Sequence, residues 1–335
     1  MINKKVKWVL WLGLMVLLAF LPKLVGPYFT NVFVHFAIFA LFALSFNLLL
    51  GYTGLFSFGH AMFFGTGGFA TALALIHIQG LPLLAALLIG IFASVVLALI
   101  LCPIVSRVSG TAFAMLHLAF GMLLYTLALK LRNITNGEDG VSGFPIPPLT
   151  IPGIFSLDMK DSTNFYYFAV VVIGICAWLL WFLTKTPFGQ IMVSIRDNAK
   201  RVSFMGFKVT SSKGMIYAIS AGFAGAAGAV LALFQNVISP DLALGPITSF
   251  NVILIAMVGG VGSFFGPIWG SAIFTLIHEF TSRYIKEVEL LMGAILIVVM
   301  LYFPKGFAGV LTMIGNKVFR RVPEKKATED DRCKQ

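Results

Sequence analysis

The chain has 335 residues, of which 59% are hydrophobic and 11% charged, and its formal net charge is +11. A soluble domain carries about one charged residue in four, so this composition excludes an ordinary soluble globular protein. Nucleic acid is not the partner implied by the positive balance, because the basic residues cluster between apolar runs, where a membrane protein uses them, and form no face on a folded domain. Between Lys23 and Arg107 there is no Asp, Glu, Lys or Arg. Such a gap requires several consecutive membrane crossings of roughly 20 apolar residues each.

At the N-terminus Lys4, Lys5 and Lys7 precede an apolar run from Trp8. No small-x-small cleavage site follows, so a retained first helix is expected in place of a cleaved signal peptide. About ten apolar segments are predicted: Trp8–Leu24, Tyr28–Leu50, His60–Ile78, Pro82–Val105, Thr111–Leu129, Phe165–Lys185, Met215–Asn236, Ile247–Met257, Pro267–His278 and Leu290–Phe303. The eighth and ninth are short, flank a glycine-rich stretch, and read as one broken or re-entrant helix system. The expected fold is an all-α polytopic helical bundle over residues 1–315, followed by a charged, disordered tail over 316–335. Cys102 and Cys176 sit inside apolar runs and Cys333 sits in the tail, which gives no disulfide or metal framework.

Loop charge sets the orientation. Lys4, Lys5 and Lys7 make the N-terminal segment +3; six basic residues against Asp197 make 185–213 +5; eight basic residues against four acidic ones make the tail from Lys305 +4. These three segments are predicted to be cytoplasmic. Segments 130–161 and 279–289 each sum to −1, with three basic against four acidic and two against three, and should face outward. Ten crossings with both termini inside satisfy all five assignments. No soluble domain fits between the spans, and no Gly-x-x-x-x-Gly-Lys-Ser/Thr phosphate loop occurs, so any ATP must be bound by another subunit.

Three stretches could carry function. The first runs from Gly51 through Gly54, Ser57 and Gly59 to His60, with Gly65, Gly67 and Gly68 beyond. The second is Gly259-Gly260-Val261-Gly262-Ser263, followed by Gly266 and Pro267. Non-helical backbone survives in a membrane only where it is buried in protein or lines a wet cavity, so both read as breaks beside a pathway. Close helix packing through small residues is the plainer alternative. The two share a Gly-x-x-Gly core in opposite halves of the chain, a pattern that points to a midplane site and hints at an internal repeat. The third stretch, Pro187 to Gly206, reads as a short amphipathic helix on the inner face. Ile191, Ile195, Val202 and Met205 form its apolar stripe beside Arg196, Lys200 and Arg201. It could lie on anionic lipid or dock a cytoplasmic partner. Asp197 and Asn198 favour docking, because lipid binding alone needs neither.

Polar residues predicted inside spans are His35, Asn47, Ser57, His60, His117, Gln235, Asn236, Asn251 and His278. Each is more often interhelical glue than a pathway residue. Asn47, Ser57, His60 and Asn251 rank first because they adjoin the glycine breaks. The lack of a charged side chain deep in a span weighs against a secondary transporter driven by an ion gradient. No HExxH motif, paired membrane carboxylates or Ser-His-Asp set supports an enzyme.

At these residues the chain resembles the permease subunits of branched-chain amino acid ABC importers, the LivH/LivM type. The resemblance runs from about Phe39 to Gly309. It rests on Leu48–Gly54 with Ser57, Gly59 and His60; on Thr135–Gly143; on Ile195–Asn198 through Gly206; on Ile238–Pro240; on Gly259–Ser263 with Gly266 and Pro267; and on Phe303–Gly306. The Arg196-Asp197-Asn198 variant and the outward loop look more like the LivM-type subunit. The resemblance implies a bacterial inner-membrane permease that pairs with a second homologous permease. It also implies two cytoplasmic ATPases that use ATP and Mg, an extracytoplasmic binding protein, and no cofactor on this chain. By carry-over, Arg196, Asp197, Asn198, Lys200, Arg201 and Gly206 belong to the coupling segment within 185–214 that seats on an ATPase. Lys200, Arg201 and Val202 stand where many ABC importers have Glu-Ala-Ala. Asn47, Gly51, Gly54, Ser57, His60, Asn251, Gly259 and Gly262 would line the translocation path, and Asn136, Glu138 and Asp139, in the outward loop over 131–164, would face the binding protein. Urea or a short amide is an alternative cargo that no residue here excludes.

Overall fold

Runs of Leu, Ile, Val, Phe and Ala with almost no charge favour helices that satisfy their own backbone groups, the one open-ended structure a bilayer tolerates. The computed structural model describes residues 4–151, 155–159 and 161–282, with positions 290, 291, 293, 294 and 306. Its elements in chain order are α1 (Lys4–Thr53), α2 (Ala61–His77), α3 (Leu83–Val105), α4 (Thr111–Lys130), α5 (Arg132–Thr135), a 3-10 turn (Gly137–Asp139), β1 (Val141–Ser142), β2 (Leu149–Ile151) and β3 (Phe155–Leu157). They continue with α6 (Ser162–Lys185), α7 (Pro187–Phe204), α8 (Val209–Gln235), β4 (Val237–Ile238), α9 (Pro240–Ala243), α10 (Pro246–Gly259) and α11 (Gly266–Thr281). Six helical stretches among the described residues are long and apolar enough to cross a membrane. The first nine apolar segments of the sequence each fall on a helix; the tenth, Leu290–Phe303, lies outside the described residues apart from isolated positions, as does the tail over 316–335.

The first two segments share α1, and the helical path breaks between them at Gly26 (φ 81, ψ 168), flanked by Pro22 and Pro27. A proline removes a helical donor and crowds the preceding turn, and Gly26 supplies the positive φ that lets the chain change direction.

Helix α8 is the centre of the bundle. It packs against α1, α2 and α3, and residues from Ser220 to Leu233 are almost all buried. Its Ala- and Gly-rich sequence makes this possible, because small residues let helix backbones approach closely where no water drives association. A Cβ on Gly228 would stand 1.8 Å from the Phe64 carbonyl oxygen of α2. One end of α8 follows α7; the other reaches β4, whose residues Val237 and Ile238 pair antiparallel with Ser142 and Val141 of β1. That strand pair joins the two resemblance stretches Thr135–Gly143 and Ile238–Pro240. The segment over 131–164 is thus more structured than the open loop the sequence suggested: α5, the 3-10 turn and the β2–β3 hairpin all lie in it.

Candidate functional site: the junction of the two glycine breaks

The first glycine stretch is helical through Gly51, which lies in the last turn of α1. The helix stops after Thr53, and Gly54 takes a φ of 70. Residues 54–57 are non-helical, and a turn then leads into α2. The second stretch ends α10 at Gly259; Gly260 and Gly262 adopt φ values of 107 and 87 in the turn before α11. A residue with a Cβ adopts such angles only with strain.

These two breaks meet. Asn47, 1% exposed, spans them with both ends of its amide. Its Nδ2 donates to the Ser263 carbonyl at 3.0 Å, and Gly262 N–H donates to its Oδ1 at 3.2 Å. Arg196 of α7 joins the same place, its Nη1 donating to the Gly51 carbonyl at 2.6 Å. A Cβ on Gly54 would lie 3.1 Å from Arg196 Cγ, and one on Gly262 would lie 3.5 Å from Arg196 Nη1. A guanidinium at the carbonyl end of a helix also meets the negative end of its dipole. A hydrogen bond from a charged donor contributes roughly 1.5–3 kcal/mol; the side chain is 40% exposed, so solvent screening reduces that. Its pairing with Asp197 at 3.3 Å is an exposed neighbour contact of little energy. Gly306, from the last resemblance stretch, also arrives here: a Cβ on it would lie 2.4 Å from Gly260 Cα.

The sequence predicted one continuous amphipathic helix from Pro187. The structure corrects this: the backbone leaves the helical region at Asn198 (φ −160, ψ 95). Asn198 Oδ1 accepts from Arg201 N–H at 3.0 Å, so the side chain starts a new turn as an N-cap does. Asp197 and Asn198 therefore direct hydrogen bonds into their own segment. Met192, Ile195 and Val202 are buried against the bundle. Lys200 and Arg201 are exposed, Phe204 is 90% exposed and Met205 61%. Gly206, with φ 88, ends the segment in the left-handed conformation usual after a helix.

Further along the first break, Ser57 and His60 are fully buried in the bundle and do not touch Asn47 or Arg196 through any hydrogen bond described. Ser57 Oγ lies 2.6 Å from His117 Nδ1. His60 Nε2 lies 3.0 Å from Ser45 Oγ, and Ser45 donates to the Phe42 carbonyl at 2.6 Å, so the imidazole is the donor to Ser45. The rings of Phe42, Phe46 and Phe63 surround His60, while Phe113 and Tyr217 cover His117. Among the described residues His60 Nδ1, His117 Nε2 and the Tyr217 hydroxyl have no hydrogen-bond partner. Asn251 stands apart from both clusters, in a groove of about 350 Å³ lined by Phe58, Leu118, Pro246, Ile247, Phe250, Asn251 and Leu254.

The set predicted to face outward lies at the other end of α8. Asn136 adopts the left-handed conformation (φ 60), and Glu138 and Asp139 follow it on an exposed 3-10 turn. Tyr125 OH donates to Asp241 Oδ1 at 2.6 Å beside this turn. The remaining polar residues act locally: His35 packs edge-on against Phe234, His278 stacks on Phe274, and Asn236 ends α8 with φ 52.

Several residues of these clusters escaped the sequence reading. Ser263 had no individual role, although its carbonyl is half of the Asn47 clamp. Ser45, and Ser220, whose Oγ donates to the Ser45 carbonyl at 2.6 Å, lie in uninterrupted apolar runs with no local signal. His117 was noted as polar but not placed with Ser57.

Residues 28–301 match the family described as branched-chain amino acid transport system, permease component. The chain is 26% identical over 287 residues to the high-affinity branched-chain amino acid transport system permease protein LivM of Salmonella typhimurium, covering 80% of this chain and 67% of that protein. It is 27% identical over 288 residues to the protein of the same name from Escherichia coli, with the same coverage. The permease protein BraD of Pseudomonas aeruginosa is 20% identical over 290 residues, covering 81% of this chain and 91% of that one. No solved structure matches the chain.

Proposed function

The chain belongs to the permease family of branched-chain amino acid transport systems, and from that premise we propose that it forms the path by which an ATP-driven importer passes leucine, isoleucine and valine across the bacterial inner membrane. It is a multi-pass membrane transport subunit and not an enzyme. The complete importer adds a second homologous permease, two cytoplasmic ATPases that bind ATP and Mg, and an extracytoplasmic binding protein. Both termini lie in the cytoplasm, in keeping with the charge of the loops.

The observation that carries this reading is the placement of α7. It lies against the ends of α1, α6 and α8, buries Met192, Ile195 and Val202 there, and turns Arg201, Phe204 and Met205 outward. A segment that belonged only to the bundle would not leave a phenylalanine 90% exposed beside basic side chains. Seated on an ATPase, 185–214 transmits closure of the ATPases to the bundle. At the far end of α8, Asn136, Glu138 and Asp139 meet the binding protein. Asn47, Gly51, Gly54, Ser57, His60, Asn251, Gly259 and Gly262 lie along or beside the path. The charge-free interior suits a permease whose substrate affinity resides in its binding protein.

The test is reconstitution of the whole complex in proteoliposomes, with ATP hydrolysis and uptake measured with leucine and with urea. Hydrolysis stimulated by leucine with its binding protein, accompanied by uptake, is the expected result. Stimulation by urea alone would replace the cargo, and no ATP dependence would overturn the reading. Charge reversal at Arg201 combined with Phe204→Ser probes the docking face. Arg196 is unsuitable for that purpose because its guanidinium also bonds the end of α1, so a loss there would not report docking alone.

A further inference from the structure

The junction at Gly51, Asn47 and Gly262 is held in an unusual way for a helical membrane bundle. Other helix ends are joined by single hydrogen bonds, as Ala61 N–H of α2 donating to Ser249 Oγ of α10 at 3.1 Å and Tyr125 OH of α4 donating to Asp241 Oδ1 of α9 at 2.6 Å. Here the end of α1, the α10–α11 turn and α7 are tied by three hydrogen bonds: Arg196 Nη1 to Gly51 O (2.6 Å), Asn47 Nδ2 to Ser263 O (3.0 Å) and Gly262 N to Asn47 Oδ1 (3.2 Å). Hydrogen bonds are directional and can be exchanged for water at small net cost, so a contact built from them has two distinct states, made and released. Apolar packing of the same extent would not release so readily.

The segments that carry the bonding groups are also built to turn. Gly54 follows the end of α1 with a φ of 70, and Gly260 and Gly262 bracket the turn with φ values of 107 and 87. Two residues beyond Arg196, α7 is interrupted at Asn198. The break divides α7 into a piece that holds Arg196 against the bundle and a piece that ends in the exposed Phe204. Arg196 stands between that break and the end of α1, so a pull on α7 acts first on the bond to Gly51.

We propose that Asn47 and Arg196 are positioning residues of the transport cycle, which latch the end of α1 to the α10–α11 turn and release it when α7 is displaced. This rests on the chain being the permease of an ATP-driven importer. Asn47 joins the two halves of the chain directly, by reading both the N–H and the C=O of the 262–263 turn. Arg196 reports the position of α7 to that joint. Release lets the two glycine breaks part and opens the path at this end; re-formation closes it.

The test uses the complete reconstituted complex with Cys102, Cys176 and Cys333 of this chain replaced by serine. Asn47→Cys and Ser263→Cys are introduced together, and a short bis-methanethiosulfonate reagent bridges them reversibly. The unbridged pair lacks the Asn47 amide, so its leucine uptake should already lie below that of the cysteine-free parent, and equal uptake would overturn the latch; bridging should lower it at least a further tenfold, and reduction should return it to the unbridged level. Unchanged uptake at near-complete bridging would mean that the contact is static and would overturn the latch. As a second measurement, Arg196→Leu should lower leucine-stimulated ATP hydrolysis at least fivefold at an unchanged level of membrane-inserted protein, and Arg196→Lys, which keeps a cationic donor, should restore most of it. Equal activity of the two variants would also overturn the latch. A cysteine-free parent that imports no leucine, although the unmodified complex does, would show those cysteines to be required and shift the test to the Arg196 pair. An unmodified complex without leucine import would instead remove the importer reading on which the latch rests.

Discussion

The Ser57–His117 pair allows a sharp test of how this bundle carries polar groups in its interior. Both residues are fully buried, their side chains meet at 2.6 Å, and His117 Nε2 has no other partner among the described residues. Ser57→Ala removes the hydroxyl and leaves the imidazole with no hydrogen bond at all. An orphaned buried polar group costs about 1–3 kcal/mol, and a loss of about 2 kcal/mol changes the folded-to-unfolded ratio by a factor of roughly 30. His117→Phe deletes both ring nitrogens, one of them already without a partner, and orphans only the Ser57 hydroxyl, whereas Ser57→Ala leaves two buried nitrogens unpaired. The ring keeps its place against Phe113, 4.4 Å away by centroid, and against Tyr217 at 5.0 Å. That substitution should therefore cost less than Ser57→Ala, and adding Ser57→Ala to it should cost little more. Denaturant titration of the purified chain in mild detergent, followed by tryptophan fluorescence, measures the four members of the cycle. A coupling energy of about 1–3 kcal/mol is expected. If His117→Phe proves more damaging than Ser57→Ala, the pair is worth more than the burial it costs, and the reasoning fails.

Gly228→Ala would put a methyl group 1.8 Å from the Phe64 carbonyl oxygen; forcing α2 and α8 apart should cost about 1–3 kcal/mol or more and lower the yield of folded protein on size-exclusion chromatography. Gly174→Ala, with nothing within 4 Å of the added atom and a helical backbone in α6, should instead raise the melting temperature, because the substitution gains about 0.4–1 kcal/mol by restricting the unfolded chain. Asn136→Ala places a Cβ residue without a helpful side chain at φ 60 and should cost about 1 kcal/mol, while Asn136→Gly should be neutral; thermal denaturation distinguishes them. Phe204→Ala, at a side chain 90% exposed, should leave the stability of the isolated chain within about 0.5 kcal/mol of the original, yet weaken co-purification with the ATPases.

Helices were legible in the sequence because each is written in consecutive apolar residues, and the ends of α10 and α11 because glycine and Pro267 punctuate them. The break in α7 was not legible. No glycine or proline marks Asn198, and the interruption depends on its side chain capping Arg201, a choice made in three dimensions. The meeting of Asn47 with the Gly262–Ser263 turn was hidden for another reason. Each half was recognisable as a break, but nothing local says that two breaks far apart in the chain share one location, nor that an arginine assigned to a partner would reach inward to Gly51. The pairing of β1 with β4 was missed because two-residue strands carry no alternation to detect. Ser45 and Ser220 look like ordinary small residues in apolar runs until His60 is placed beside them.

The central position of α8 has a consequence for how the chain comes into being. Its partners α2 and α3 are made first and enter the bilayer early, with the Gly67 face of α2 uncovered until Gly225 of α8 arrives to pack on it. Independently inserted helices that associate later, through close backbone contact, are the general pattern in membranes. Here the keystone is synthesised after α4, the segment over 131–164 and α7. The interval before it arrives is therefore the period in which the newborn chain is most exposed to wrong partners. A substitution on the small-residue face of α8 should show itself first as degradation during biosynthesis, before any defect in the finished protein can be measured.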